Sequence, residues 1–274
     1  FRTMRQEWGC HYFKLDATMW GAIPAGIRHD PQATSIEAYR MGMRAILEGA
    51  GEGAFVLGCN APMWPSLGLV HGMRIGNDIV RNWRSISSVS RQCLLRGWQH
   101  GRLWINDPDV IVLESLPEEQ LAADGTAVAA DSATSDEFRF HIATILASGG
   151  MVLSGDRMPT LQESSWRTLG KLLSARRPAA VFSDSRLRTG FCEVNGTPVL
   201  IGLNWDDEET ALSWNLPGSW MVEDFLSGAP MGGFQHTFGP VTVPPHGAVM
   251  YRLRRAILPC DRNHTHQNEV EAKA

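Results

Sequence analysis

The sequence predicts an α/β protein followed by a smaller all-β part. Over residues 1–175, short apolar β-like runs alternate with helical patterns, the mark of parallel strands joined by crossover helices. The pattern changes at about Arg176-Arg177-Pro178. From 178 to 254 the chain reads as short strands split by turn pairs, a small antiparallel β-sandwich. Residues 255–274 lack apolar periodicity and are read as a disordered tail, in which His264 and His266 are solvated rather than metal-bound.

In order, the β-like runs are Tyr12-Phe13-Lys14-Leu15, Ala54-Phe55-Val56-Leu57, Met73-Arg74-Ile75, Leu103-Trp104-Ile105 and Met151-Val152-Leu153. The clearest helix spans Ser35–Ala50. Thr34 and Glu37 fit a capping box, Ile36, Tyr39, Met43, Ile46 and Leu47 form one stripe, and Gly49 to Gly53 ends it. Similar patterns occur at 86–99, 135–147 and 162–173. In the second part Asn195-Gly196, Pro217-Gly218 and Pro244-Pro245 are expected to separate strands. The all-β part is expected to cover helices of the first.

Composition narrows the classes. Hydrophobic content of 43% and charged content of 20% are globular values. A net charge of -4 gives no basic footprint for nucleic acid. No apolar run approaches the roughly 20 residues of a membrane span. The five cysteines are scattered, odd in number and form no CxxC pair, which argues against a disulfide framework or structural zinc and for reduced thiols in the cytoplasm. Ten Trp against three Tyr suits either sugar platforms or core filling.

Polar residues stand just after the strands: Asp16, Cys59-Asn60, Asp78, Asn106-Asp107 and Asp156. Function at the C-terminal ends of parallel strands is the habit of (β/α)8 barrels and of doubly wound sheets. Lys14 and Asp16 share a strand face if that stretch is extended; Arg74 and Asp78 do so only if their strand persists that far. Two carboxylates from different strand ends are the minimum equipment for glycoside hydrolysis. Each Asp is equally suited to capping a helix. Cys59 fits a small buried hydrophobe, and Trp64 a loop plug. Asp107 and Asp109 flank Pro108 and are expected to shape that loop and cap the next helix; Asp156 is expected in a turn.

The motifs together resemble a known family. The stretch from Cys59-Asn60-Ala61-Pro62-Met63-Trp64 to Met73-Arg74-Ile75-Gly76-Asn77-Asp78 closely resembles the acid/base segment of bacterial α-galactosidases of glycoside hydrolase family 36. Tyr12-Phe13-Lys14-Leu15-Asp16 is similar to that family's nucleophile strand, 62 positions before Asp78. Trp104-Ile105-Asn106-Asp107-Pro108-Asp109 looks like the next strand's motif, shared with the related family 27. The resemblance covers residues 8–254. It implies strands 4–8 of a partial (β/α)8 TIM barrel. It further implies a retaining hydrolase of terminal α-galactosides, such as raffinose-type oligosaccharides, with Asp16 as nucleophile and Asp78 as acid/base. Lys14, Cys59, Asn60, Trp64 and Arg74 would bind the sugar, with no cofactor or metal. The partner would be an oligosaccharide, not nucleic acid or membrane, and oligomerisation is left open.

The sequence has Cys59-Asn60 where many relatives have Cys-Gly, which leaves C2-substituent preference open. Alternatives are an α-N-acetylgalactosaminidase or a vestigial, non-catalytic sugar-binding protein. The resemblance also implies that the first three barrel strands and a large N-terminal β-domain lie outside these 274 residues. The expectation is a piece of a longer enzyme, or a degenerate product, with little activity alone.

Overall fold

A computed structural model describes residues 1–114, 132–174 and 178–255. The expected boundary at 175–177 and the tail with His264 and His266 lie outside the described residues.

The first part is a run of parallel strands backed by helices. After a short helix α1 (Arg2–Gln6), β1 (Tyr12–Leu15), β2 (Phe55–Gly58), β3 (Gly72–Arg74) and β4 (Ile105–Asp107) pair in parallel in that order. Two further strands, β5 (Val110–Ile111) and β6 (Leu153–Ser154), pair in parallel beside them. β4 and β5 are halves of one chain passage broken at Pro108-Asp109, where Asp109 has φ 75°. β4 pairs back to β3 and β5 forward to β6. Among the described residues this gives five strand passages, in the places the apolar runs predict. The fourth differs: Leu103-Trp104 precede the strand, and Asn106 and Asp107 lie within it. A buried ion pair to Asp107, described below, makes that burial tolerable.

The crossover helices are α2 (Ser35–Ala50), α3 (Trp83–Leu95), α4 (Ser135–Ala147) and α5 (Glu163–Leu173). Both bonds of the Thr34–Glu37 capping box are made. Tyr39 and Met43 pack under β1 to β3 with Phe13, Val56 and Met73, whereas Ile36 of the expected stripe is exposed. Thr134 and Glu137 form a second capping box on α4.

The second part is antiparallel: β7 (Val181–Phe182), β8 (Thr189–Val194), β9 (Thr197–Leu203), β10 (Thr210–Asp224), β11 (Pro230–Val243) and β12 (Ala248–Arg255). The strand order is β11-β10-β12-β9-β8-β7. Instead of the two separate sheets of a sandwich, one hydrogen-bonded sheet folds over itself. Pro217-Gly218 does not end a strand, as expected, but lies inside β10 at a register shift between Asn215 and Ser219. Before it Leu212 and Trp214 lie over Gly202 of β9, where an added Cβ would meet both within 2.9 Å. Asn195-Gly196 makes the expected β8–β9 turn, with φ of 53° and 73°.

One core joins the two parts. Ile142, Ile145 and Leu146 of α4 and Leu169 and Leu172 of α5 bury against Val199, Ile201 and Met250 of the sheet. At its edge Arg139 of α4 donates to Asp224 Oδ2 at 2.5 Å and to the Ala248 carbonyl at 2.9 Å. Burial pushes the Asp224 carboxyl up, but bonds from Ser227 and the Arg139 charge outweigh it, so it sits below its ordinary range. A carboxyl depressed on folding adds stability above its unfolded pKa and loses it as pH falls through the folded one. Arg139→Met is expected to cost about 1.5–3 kcal/mol in neutral urea unfolding, and the deficit should shrink in acid as Asp224 protonates.

Candidate active site

Strand register alone lines up four of the relevant residues. Leu15 pairs with Gly58, Gly58 with Met73, and Arg74 with Asp107. One step on, the Cys59 N–H donates to the Leu15 carbonyl at 2.8 Å. Asp16, Cys59, Arg74 and Asp107 therefore form one row across the C-terminal ends of β1 to β4, all on one face. The row before it is Lys14, Leu57, Gly72 and Ile105. Behind that, Tyr12 and Phe55 stack with ring centroids 5.5 Å apart. In β1 this face is exposed at Tyr12 and Lys14, while Phe13 and Leu15 are buried on the helix side. Gly72 keeps the face shallow, since a Cβ there would meet Phe55, Leu57 and Met151 at 2.9 Å.

Arg74 is the hub. Its side chain is 5% exposed, and each nitrogen serves a different carboxylate. Nε meets Asp107 Oδ2 at 3.2 Å, Nη2 meets Asp109 Oδ1 at 2.6 Å, and Nη1 meets Asp78 Oδ1 at 2.7 Å. Burial works against the cation, but Asp107 and Asp109 outweigh it and hold the guanidinium more firmly protonated than a free arginine. The Arg74–Asp78 contact does not arise as the sequence suggested. β3 ends at Arg74, so the two do not share a strand face; the loop carries Asp78 back to the guanidinium. Asp78 is 91% exposed in its side chain.

Asp16 is exposed and accepts from the Ala17 N–H at 2.7 Å. The 3-10 turn that follows has Ala17 as its N-cap, so Asp16 does not cap a helix. Cys59 is buried beside it. Burial pushes the thiol up, Arg74 and Lys14 pull it down, and Asp16 pushes it further up through charge and a hydrogen bond. Cys59 thus reports that Lys14, Asp16 and Arg74 share one neighbourhood. Asn60 is exposed with φ 45°, a left-handed conformation open to Gly and Asn. That explains how Asn stands where the resembling family often has Gly. Its carbonyl accepts from the Met19 N–H at 3.1 Å and joins the loops after β1 and β2. Trp64 is 61% exposed on the second of these loops. Below it Tyr39 bonds Ser66 at 2.6 Å, and Arg40 bonds the Pro65 carbonyl at 2.6 Å.

Three residues read differently from the sequence. Among the described residues the helix that follows Asp107 and Asp109 has Thr134 as its N-cap, so neither caps it; both are buried on Arg74. Trp20, 69% exposed on the first loop, was not singled out. Asp156 makes a local turn with Ser154, as expected, and also accepts from the distant Leu113 and Glu114 N–H groups beyond β5. Among the described residues no group of three or more His, Cys, Asp or Glu is placed to hold a metal ion. None of the helices there is long and apolar enough to cross a membrane.

No family model matches the sequence. Solved structures do match in shape. A GH27 β-L-arabinopyranosidase from Geobacillus stearothermophilus aligns with TM-score 0.69 and 17% identity, over 93% of this chain and 60% of that one. α-Galactosidase I from Mortierella vinacea aligns at 0.62 and 15%, over 93% and 70%. A putative α-N-acetylgalactosaminidase from Bacillus halodurans aligns at 0.64 and 15%, over 93% and 60%. The chain shares its fold with glycoside hydrolases. It matches part of a barrel and the β-domain after it, and spans 60% of the length of the first of these proteins.

Removing the hub should be costly, since it strands two buried acids. Arg74→Met is expected to lose about 3–5 kcal/mol in chemical denaturation. A loss below about 1 kcal/mol would show that Asp107 and Asp109 do not depend on it.

Proposed function

We propose that the chain carries the nucleophile and acid/base of a retaining glycoside hydrolase acting on terminal α-galactosides. The observation that supports this most is the row Asp16–Cys59–Arg74–Asp107 with Asp78 attached to Arg74. Asp16 and Arg74 are two strands apart, roughly 10 Å at the usual strand spacing, a gap on the scale of one sugar ring. In this reading an Asp16 oxygen attacks the anomeric carbon while Asp78 gives its proton to the glycosidic oxygen. The bond electrons leave with that oxygen as the alcohol departs. Water then attacks the same carbon, Asp78 takes its proton, and Asp16 is released as carboxylate. Lys14 binds sugar hydroxyls, Arg74 holds the Asp78 carboxyl rather than the sugar, Cys59 lines the ring, and Asn60 and Trp64 stand at the rim. No cofactor enters.

The family resemblance supplies the α-galactosyl preference. The fold neighbours include enzymes named for galactose, N-acetylgalactosamine and arabinopyranose, so substituents at C2 and C5 remain to be assayed. A second reading, sugar binding without turnover, is favoured by the exposure of Asp16 and Asp78. Charges facing bulk water act weakly on a developing transition state.

The test is hydrolysis of a chromogenic α-galactoside by the 274-residue chain. Slow turnover is expected, reduced about 10²- to 10⁴-fold by Asp78→Asn. Asp16→Gly should be inactive and regain substrate cleavage with azide, giving the β-galactosyl azide. Galactose binding without turnover or azide rescue would select the second reading, and absence of both sinks the two together.

A further inference from the structure

The network at the head of β3 contains more carboxylate than one arginine requires. Asp107 accepts from Arg74 Nε and from the Asp109 N–H at 2.9 Å; Asp109 accepts from Arg74 Nη2 and from the Ile79 N–H at 2.7 Å. Both oxygens of both buried acids are thus occupied, and their side chains are 0% and 7% exposed. Asp78 reaches the same guanidinium through one oxygen from the solvent side. A lone cation at that distance favours an ionised carboxylate. A group that must begin by donating a proton needs the opposite.

We propose that Asp107 and Asp109 are positioning residues for Asp78: they fix the Arg74 fork so that it orients the Asp78 carboxyl, and their two carboxylates oppose the guanidinium charge that faces it. Arg74, Asp107 and Asp109 together carry one net negative charge. The role rests on the reading of Asp78 as the acid. Asp109 reaches its place because the chain turns left-handed there, at the break between β4 and β5.

The other ionisable groups around the network do not reverse this balance. Burial pushes up the Tyr12 phenol and the Cys59 thiol, and the Cys93 thiol on α3 to about 12, so all three are neutral. His141 of α4 is held down to about 4 by burial and is neutral as well. Among the cations, Arg96 is engaged by the Ile75 carbonyl at 2.6 Å, and Arg81 lies over the Phe138 ring at 4.9 Å. Across the row, Lys14 and Asp16 oppose each other.

The test is a carbon-detected NMR titration of the Asp78 side chain in the 274-residue chain, assigned by the signal lost in Asp78→Asn. In Asp107→Asn and, separately, Asp109→Asn the Asp78 titration is expected to move to lower pH, because Arg74 is then less opposed. Asp109→Glu keeps the charge and should leave it close to that of the unmodified chain, which separates charge from shape. Asp109→Asn keeps an oxygen for the Ile79 N–H, so the experiment stays readable if Asp107→Asn does not fold. An unmoved titration, or one displaced to higher pH, in a folded asparagine variant overturns the proposal while leaving the hydrolase reading intact. If the shift occurs but Asp78→Asn hydrolyses α-galactoside normally, the hydrolase reading falls and the electrostatic clamp stands.

Discussion

One guanidinium shared among three carboxylates organises the C-terminal ends of the parallel strands. Arg74 links its own strand β3 to Asp107 in β4, to Asp109 at the break beyond it, and to Asp78 in its own loop. An arginine buried to this degree is tolerable only when its donors are paired. Buried aspartates are equally dependent on the arginine. Each justifies the burial of the others, so the network locks three chain segments into one arrangement. The geometry of Asp78 is a consequence of that lock.

A second constraint is apolar. Helices α4 and α5 bury one side against the antiparallel sheet, through Ile145, Leu146 and Leu169 on one side and Ile201 and Met250 on the other. The sheet meets this surface with one layer of β8, β9 and β12, and covers its opposite layer with its own long hairpin. Trp214, Phe238 and Tyr251 close that second core, with ring centroids 4.8–6.1 Å apart. The β-part thus stabilises the strand–helix part from behind, leaving the polar row untouched.

The strand face opposite the helices is different. Tyr12, Lys14 and Ile105 remain exposed on it, and the Asp16 and Asp78 carboxylates stand in water. In this arrangement the chain can orient charges but not exclude solvent, and catalytic electrostatics depends on both.

Strand–helix alternation, the capping box at Thr34 and the Asn195-Gly196 hairpin were legible from residues alone, because each is a local preference with a fixed period or turn geometry. The candidate carboxylates Asp16 and Asp78 were legible by position after apolar runs and by family resemblance. Three features were not. Asp107 and Asp109 read as loop formers because a buried acid is recognised only by its distant partner, and Arg74 is more than 30 positions away. Pro217-Gly218 read as a chain reversal because a turn pair and a strand bulge look alike until cross-strand pairing selects between them. The meeting of Asp78 with Arg74 was anticipated through strand periodicity, yet a loop makes it. Local sequence determined which segments are strands, helices and tight turns. Only tertiary structure decided which charges are buried together, because that depends on pairing energies between segments far apart in the chain.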